Sequence, residues 1–340
     1  MSAEDEEKEE EKSALTAEKK YERLEDLPGV GPATAQRLRE LGYHTIESLS
    51  TATVKELELA GIGEKKALDL IRAARSGLSL TFIRADELLK MRQNVLRLTT
   101  GSKAIDEILG GGLETQTITE FYGEYGSGKS QLCHQMCVNV QLPPERGGLN
   151  GGALYIDTEN TFRTERIVQM ANHVGLNPEE ASKNITFAEA YTSDHQMFLL
   201  ENADNIIKEN NIRLIVVDSL TAHFRSEYLG REMLAERQQK LNKHMHRLIR
   251  LARAFNAVAL VTNQVMAKPD VFFGDAVHPV GGHIVAHTSH TRVFLRKASR
   301  GPNRIARLVS SPYLPEGERV FKVTENGIED VTEADPQGRR

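Results

Sequence analysis

The run that decides the fold lies in the middle of the chain: Gly123, Glu124, Tyr125, Gly126, Ser127, Gly128, Lys129 and Ser130. It matches the pattern G-x-x-x-x-G-K-[ST], whose backbone N–H groups cradle the phosphates of a nucleotide. An apolar, β-rich run at 116–122 precedes it, and a helix-like stretch at 131–142 follows it. Strand, loop and helix come in the order that a phosphate loop requires, so the run predicts a nucleoside triphosphate site.

The residue types in this run suit a triphosphate. Its three glycines can adopt positive φ and let the backbone curl around the phosphates. Lys129 is expected to reach the β- and γ-phosphates, and the Ser130 hydroxyl to be a ligand of Mg²⁺. Gln131, at the start of the helix, is expected to contact the nucleotide as well, because a helix N-terminus favours negative charge. The alternative is a glycine turn that matches by accident, which the flanking strand and helix disfavour.

Composition limits the class of protein. The chain has 340 residues, of which 39% are hydrophobic, and its net charge is −5. This length has room for one large and one small domain. The charge is a poor guide to partners, because an acidic run at 4–11 belongs to a predicted disordered tail at 1–19. With no apolar run of membrane length and no signal peptide, we expect a cytoplasmic, nucleoid-associated protein without membrane contact.

The two cysteines, Cys133 and Cys137, lie on the helix after the phosphate loop. Buried thiols in a reducing compartment are a better interpretation than a disulfide or a metal site.

A small helical domain is predicted for 20–75. Two glycine hinges, one with Gly29 and Gly31 and a degenerate copy with Gly61 and Gly63, lie between short apolar-periodic helices. This repeat resembles paired helix-hairpin-helix units, whose turn N–H groups bind nucleic-acid phosphates without reading sequence. Cationic residues follow both hinges and favour DNA contact. The alternative is a helical bundle with glycine caps that only docks proteins.

A linker at 76–95 joins this domain to the rest. It contains Phe82 in a short apolar segment. The Phe82 ring is expected to be buried, either in a pocket on a neighbouring molecule or in the core of its own protomer.

An α/β domain is predicted for 96–332, followed by a short tail at 333–340. Apolar runs at 117–122, 153–157, 214–218 and 258–263 alternate with helical stretches, which indicates parallel strands joined by helical crossovers. Three later runs at 291–296, 304–309 and 319–323 have short connections, as an antiparallel extension of the sheet would.

Polar side chains end three of these runs, at the edge where open α/β sheets bind ligands. Asp218 follows one apolar strand and is expected to orient the Mg²⁺ ligands. Glu159 follows another and could polarise the water that attacks the γ-phosphate, although a solvated loop carboxylate is the alternative. Gln264 ends the next strand and could sense the γ-phosphate.

Two segments have the composition of nucleic-acid loops. The first, at 224–231, contains Arg225, Tyr228 and Arg231 and leads into a long basic helix. The second, at 266–283, has no regular period and contains Phe273, Gly281 and Gly282. Arginines with aromatic residues and glycines suit a groove for single-stranded DNA. A solvated helix face and a disordered crossover are the respective alternatives.

The order of these motifs resembles the RadA recombinases, the archaeal-type members of the RecA superfamily, from about residue 24 to 330. The resemblance implies a RecA-like ATPase core with a helix-hairpin-helix domain. It also implies a DNA-dependent ATPase, with ATP and Mg²⁺ as cofactors, that forms a filament on single-stranded DNA. Homologous pairing and strand exchange in recombinational repair would be its function. The implied partners are single- and double-stranded DNA, further copies of the chain and recombination mediators.

The resemblance also implies roles for residues of the nucleotide site. Glu159 would be the hydrolytic base, and Arg166 would stack on the adenine. Gln264 and His287 would couple the γ-phosphate to the second DNA loop.

Further residues would act between protomers. The segment 312–317, with Pro315, would cover the ATP of the adjacent protomer, and Phe82 and Ala85 match the polymerisation motif. Ser310 stands where the family usually has Asp, so a carboxylate that could bind a cation beside the γ-phosphate is missing. This departure leaves the cation dependence of the ATPase open.

Other classes of protein fit parts of the pattern. A recombination mediator that forms no filament is disfavoured by Phe82, Ala85 and the two loops. A ring-forming helicase or clock-type ATPase is disfavoured by the hairpin domain. A DNA-binding protein with a relic nucleotide site would lack Lys129 or Glu159, and both are present.

Overall fold

The structure is a computed structural model that describes residues 21–43, 45–50, 52–59, 61–77, 84–267, 277–298 and 302–332. The chain divides into two compact units, Met1–Lys90 and Met91–Arg340. No helix within these described ranges is long and apolar enough to cross a membrane.

The first unit is helical. Its helices are α1 (Pro32–Glu40), α2 (Ile46–Ser50), α3 (Val54–Leu59), α4 (Glu64–Gly77) and α5 (Ala85–Met91, which ends in the second unit). The two predicted hinges precede α1 and α4, and Gly29 and Gly61 have φ of 81° and 74°, which only glycine adopts easily. Leu38, Leu57 and Leu70 lie in one buried core, and Lys66 Nζ donates to Thr34 Oγ1 (3.0 Å) across the two repeats.

The second unit is an α/β domain. Its helices are α6 (Lys103–Ile108), α7 (Lys129–Asn139), α8 (Thr164–His173), α9 (Pro178–Lys183), α10 (Ser193–Glu201), α11 (Ala203–Glu209), α12 (Ala222–Glu227), α13 (Leu234–Ala254) and α14 (Gly282–Thr288). Two antiparallel sheets of two strands each are also described: β1 (Arg97–Leu98) with β2 (Leu113–Glu114), and β8 (Val265–Ala267) with β9 (Val277–Pro279).

The main sheet has nine strands in the part of the chain that the structure describes. They are β3 (Ile118–Gly123), β4 (Gly152–Asp157), β5 (Ile185–Glu189), β6 (Ile212–Asp218), β7 (Val258–Asn263), β10 (Thr291–Lys297), β11 (Asn303–Ser310), β12 (Gly317–Thr324) and β13 (Gly327–Asp330). Their order is β13-β12-β11-β10-β3-β7-β6-β4-β5, and one apolar cluster covers each face.

The sheet confirms the predicted parallel strands and their antiparallel extension, with two additions. The two edge strands were not predicted: β5 pairs parallel with β4, and β13 pairs antiparallel with β12. β10 pairs parallel with β3 as well as antiparallel with β11, so the switch of direction comes one strand later than expected. Because α14 returns the chain to the start of the sheet, β10 runs in the same direction as β3.

Both cysteines are free thiols buried on α7, as predicted. Burial raises the pKa of each, which keeps them protonated.

A buried ion pair joins the two halves of the sheet. Glu120 of β3 lies directly opposite Arg292 of β10, and Arg292 Nε donates to Glu120 Oε2 (2.7 Å). The side chain of Glu120 is fully buried and that of Arg292 is 13% exposed. Asn263 Nδ2 donates to the other carboxylate oxygen (2.9 Å), so both oxygens of Glu120 are satisfied.

Replacing Arg292 with Leu leaves the Glu120 carboxylate buried without its cation. We expect the free energy of unfolding to fall by roughly 3–5 kcal/mol, the usual cost of breaking a buried ion pair. The double variant Glu120→Leu with Arg292→Leu removes both charges and should recover part of that loss. Denaturant unfolding followed by circular dichroism measures all three proteins, and an Arg292→Leu variant as stable as the parent would contradict this account.

Candidate active site

The phosphate loop lies where the sequence predicts it, between β3 and α7. Gly128, the residue before α7, has φ of 106°. Gly123, at the end of β3, has no room for a side chain, because a Cβ there would lie 2.1 Å from the carbonyl oxygen of Leu295 on β10. The two glycines are therefore required by backbone conformation and by strand packing respectively.

A cavity of about 640 Å³ opens over this loop. It brings together the predicted nucleotide and metal residues Lys129, Ser130, Gln131, Glu159, Asp218 and Gln264, with Gly123, Glu124, Tyr125, Gly126 and Gly128 of the loop itself. Residues from four strand ends and one helix thus line a single space large enough for a nucleotide.

Lys129 is folded back onto the loop. Its Nζ donates to the carbonyl oxygens of Gly123 (2.9 Å) and Glu124 (3.0 Å). Burial lowers the pKa of Lys129, and the charges of Asp218 and Glu159 oppose that shift. The nearby Ser127 hydroxyl is buried and has no hydrogen-bond partner among the described residues. Lys129 and the glycine backbone line the cavity, and a cation beside loop N–H groups fits an anionic ligand.

The loop that carries Glu159 is held by Asp157 at the end of β4. One oxygen of Asp157 accepts from Glu159 N (3.0 Å), and the other accepts from Thr161 N (2.8 Å) and Phe162 N (2.8 Å). These bonds wrap the backbone around the carboxylate and leave the Glu159 side chain against the cavity.

The pKa of Glu159 is raised, first by burial and then by the charge of Asp218. Lys129 and the side-chain amide of Gln264, which donates to Glu159 Oε1, oppose the shift. A raised pKa makes a carboxylate a stronger base, which suits proton abstraction from water.

Asp218 ends β6 and is fixed by two hydroxyls. Tyr155 donates to its Oδ2 (2.6 Å), and Thr262 donates to its Oδ1. Asp218 and Ser130 line the same cavity. One carboxylate and one hydroxyl fit Mg²⁺, which usually takes few protein ligands and completes its shell with phosphate oxygens and water. Within the described part of the chain, no cluster of three or more His, Cys, Asp or Glu could hold a metal by itself.

Arg166 on α8 lies beside this cavity. Its Nε donates to Gln131 (2.9 Å), and its terminal nitrogens donate to the carbonyls of Thr324 (2.9 Å) and Glu325 (2.9 Å). The guanidinium is thus anchored between α7 and the turn that joins β12 to β13. Its stacking on adenine stays a prediction.

The site has basic residues on one side that were not predicted from the sequence. Arg304 of β11 lines the cavity, and its Nε donates to the carbonyl of Gly126 (3.1 Å). Lys297 of β10 lies on the same side, with its Nζ 2.9 Å from the position of a Cβ at Gly126. In the sequence these late strands alternate apolar with polar or basic residues. That pattern does not show that the basic residues reach the phosphate loop.

Several predicted residues lie away from this cavity. His287, on α14, is exposed and stacks on His283 with ring centroids 5.7 Å apart. Pro315 is exposed in the segment before β12, and Ser310 is exposed at the end of β11. Phe82 and Phe273 lie outside the described residues. The predicted actions between protomers therefore stay predictions.

The first predicted DNA segment presents two of its three named side chains. Arg225 on α12 and Arg231 after it are exposed. Tyr228 is 8% exposed and packs in the core, with Lys240 Nζ 5.1 Å from its ring centroid. The arginines are therefore better placed than Tyr228 to contact a nucleic acid.

Gly281 and Gly282 of the second segment begin α14 with φ of 96° and 61°. A Cβ on Gly281 would lie 2.5 Å from Val285, so this tight turn requires glycine.

The long basic helix α13 is not the free cationic face that the sequence suggested. Its cations Lys240, Lys243 and Arg247 pair respectively with Asp194, Glu201 and Asp204 at or beside α10 and α11. His244 and Arg247 are also buried. Periodicity placed these charges on a helix but could not show the carboxylates packed against it.

Comparison with known proteins agrees with this architecture. The Rad51 family model matches residues 91–331. The chain belongs to the Rad51 family. A SAM-like helix-hairpin-helix tandem model matches residues 21–76.

Two curated relatives cover nearly the whole chain. The DNA repair and recombination protein RadA of Ignicoccus hospitalis is 54% identical over 320 residues, which are 93% of this chain and 98% of that protein. The protein of the same name from Aeropyrum pernix is 54% identical over 308 residues, or 90% of this chain and 96% of that protein. The predicted RecA-like fold and RadA resemblance are confirmed.

This Rad51-family chain is a DNA-dependent ATPase of recombination and repair, and strand exchange on a filament is the general activity of its family. The mediator, ring ATPase and relic-site alternatives are thereby set aside.

The exposed arginines predict a specific loss of DNA binding. Arg225→Ala and Arg231→Ala should each weaken binding to single-stranded DNA of any sequence. In each variant, the slope of the logarithm of the binding constant against the logarithm of salt concentration should become shallower by about 0.7 per lost phosphate contact. Lys243→Ala is a matched control, because Lys243 pairs with Glu201 (2.8 Å) and should change the slope little. Fluorescence anisotropy over a salt series measures these slopes, and equal slopes in all four proteins would remove the arginines from the interface.

Proposed function

We propose that this chain binds ATP and Mg²⁺ in the cavity over the phosphate loop and hydrolyses ATP with Glu159 as the general base. The observation that carries the proposal is the convergence of Lys129, Ser130, Glu159 and Asp218 on one cavity. They come from three separate parts of the sequence and have the chemistry that phosphoryl transfer requires.

The loop and Lys129 bind the phosphates. Lys129 Nζ exchanges the carbonyls of Gly123 and Glu124 for phosphate oxygens, which are stronger acceptors because they are charged. Ser130 and Asp218 would hold Mg²⁺, which supplies positive charge to the phosphate oxygens when bound. Arg304 adds a protein cation at the rim.

Glu159 takes the proton of the attacking water. Its loop is held by Asp157, and its raised pKa favours proton abstraction. Gln264 holds the carboxylate through its side chain, and its backbone carbonyl accepts from Val280 N (2.9 Å) beside β9. If a γ-phosphate draws the Gln264 side chain away from Glu159, the movement would reach the second DNA segment through the hydrogen bond between Gln264 and Val280.

The Glu159→Gln variant tests this function. It should retain ATP and DNA binding while hydrolysis in the presence of single-stranded DNA falls by roughly 10²–10⁴-fold, the usual contribution of a general base. Lys129→Ala should instead lose nucleotide binding, because the phosphates lose their cation. Both are measured by phosphate release and by binding of a fluorescent ATP analogue, with and without DNA. Wild-type hydrolysis by Glu159→Gln would show that another group is the base.

The helix-hairpin-helix unit is proposed to hold DNA by its phosphates. A Cβ at any of Gly29, Gly31, Gly61 or Gly63 would meet nothing within 4 Å, so both hinges are open to a ligand. Lys65 and Lys66 line a groove with Gly29 and Gly63, although Glu64 and Asp69 line it too, so the proposal rests on the open backbone of the hinges more than on net charge. Such contacts carry no sequence information and suit both single- and double-stranded DNA.

Assembly is proposed to use Phe82 and the free edge of the sheet. β5 is the last described strand of the sheet, its Phe187 is 44% exposed, and Tyr191, two residues after its end, is exposed as well. The outer edge of β5 pairs with no other described strand, and an edge of this kind with exposed aromatic residues is a template for an extended segment from another molecule. Ala85, which begins α5, is small enough to let the backbone of that segment approach closely.

The same edge could accept a similar segment from a recombination mediator, which is the further partner class that we propose. A cytoplasmic, nucleoid-associated location follows from a DNA substrate.

The Phe82→Glu variant tests the assembly. Burying the ring in the next protomer removes an exposure that is unfavourable by roughly 1.5–3 kcal/mol, and a carboxylate cannot enter an apolar pocket. The variant should sediment as a monomer with little change in thermal unfolding. Assembly like that of the parent would mean that another element joins the protomers, and outright unfolding would place Phe82 in its own core.

A further inference from the structure

His134 lies one helical turn after Ser130 on α7 and is 1% exposed. Its Nδ1 lies 2.5 Å from the carbonyl oxygen of Ser130, and its Nε2 accepts from the backbone N–H of Arg163 (3.1 Å). A neutral imidazole with the proton on Nδ1 makes both bonds at once. The side chain therefore bridges the phosphate helix and a second element.

That second element is the loop with Glu159. Asp157 holds the beginning of this loop through the N–H groups of Glu159, Thr161 and Phe162. The bond from His134 comes next along the chain, at Arg163, where α8 begins. Asp157 thus shapes the loop locally, whereas His134 ties it to the helix that carries Lys129 and Ser130.

We propose that His134 is a positioning residue for ATP hydrolysis, whose two hydrogen bonds set the Glu159 loop against the phosphate helix. The proposal rests on the role of Glu159 as general base. A base must lie within hydrogen-bond reach of the water that attacks the γ-phosphate, and a misplacement of about 1 Å can cost roughly 10²-fold in rate. The phosphates are held by α7, whereas Glu159 lies on the loop before α8. The hydrogen bonds of His134 join these two elements and so control the distance from Glu159 to the phosphates.

Packing is the competing explanation of the same side chain. The imidazole stacks on Phe162 with ring centroids 5.1 Å apart and an interplanar angle of 22°, and it lies 5.6 Å from the ring of Tyr155. A histidine that only fills this aromatic cluster could be replaced by any ring of similar shape. The two explanations therefore predict opposite rankings for two substitutions.

His134→Phe keeps a ring in the cluster and removes both hydrogen bonds. His134→Gln loses the ring, but its amide can donate to Ser130 and accept from Arg163. If His134 positions the loop, His134→Phe lowers kcat for hydrolysis with single-stranded DNA by roughly 10- to 100-fold, with KM for ATP changed much less. His134→Gln recovers most of that loss. Similar rates for His134→Phe and the parent, or a slower His134→Gln than His134→Phe, would overturn the proposal in favour of packing.

A combination with Glu159→Gln separates this proposal from that of the base. If His134 acts through Glu159, adding His134→Phe to Glu159→Gln should change the residual rate less than twofold, because the base is already gone. Losses that multiply would show that His134 acts elsewhere. Wild-type hydrolysis by Glu159→Gln alone would instead refute the base assignment. If His134→Phe fails to fold by circular dichroism, His134→Gln decides: a rate within about threefold of the parent supports the bonds, and a fall above tenfold refutes them.

Discussion

The close contact of β3 with β10 at Gly123 is the constraint on which the rest of the site depends. A side chain at this position would collide with the carbonyl of Leu295, so the two strands approach only because residue 123 is glycine. The phosphate loop therefore leaves the sheet beside β10, within reach of the cations of the antiparallel extension. On its other side β7, β6 and β4 end in order, and they deliver Gln264, Asp218 and Glu159 to the same edge.

Carboxylates and a lysine lie close together in the site, and burial disfavours the charged form of both Glu159 and Lys129. Glu159 and Asp218 face a cavity meant for an anion, and their repulsion contributes to the raised pKa of Glu159. Lys129 lies between these carboxylates and the loop carbonyls, with its pKa lowered first by burial. The carboxylates thus suit a nucleotide that arrives with its magnesium ion. Arg304 lines the cavity and Lys297 lies beside Gly126, so both cations are placed where they could offset phosphate charge.

Features with a local cause were predictable from the sequence. The phosphate loop is a contiguous run, and Glu159 and Asp218 follow from the rule that parallel strands end at the ligand edge. What could not be predicted depends on contacts between distant segments. Arg304 lies near the phosphate loop because β11, β10 and β3 are neighbours in the sheet, an order that the sequence does not show. Tyr228 is buried because α13 packs over it. The cations of α13 look like a DNA-binding face in the sequence, because the sequence does not show that carboxylates of the neighbouring helices pair with them. β5 was missed because its residues Ile185–Glu189 mix apolar and polar types at an edge where only part of each side chain is buried.

The two margins of the sheet differ in a way that reaches beyond one molecule. At β13, Gln135 accepts from Ile328 N, and the Asp330 side chain accepts from Ser102 and Lys103, so this margin already contacts groups of the chain itself. At β5 the outer edge of the strand pairs with no other described strand, and Phe187 and Tyr191 are exposed there. If assembly uses the β5 edge, as proposed, each protomer adds to the polymer in the same orientation. The two ends of such a polymer expose different surfaces, so subunits join and leave them at different rates, and the filament carries a direction along the DNA that it covers.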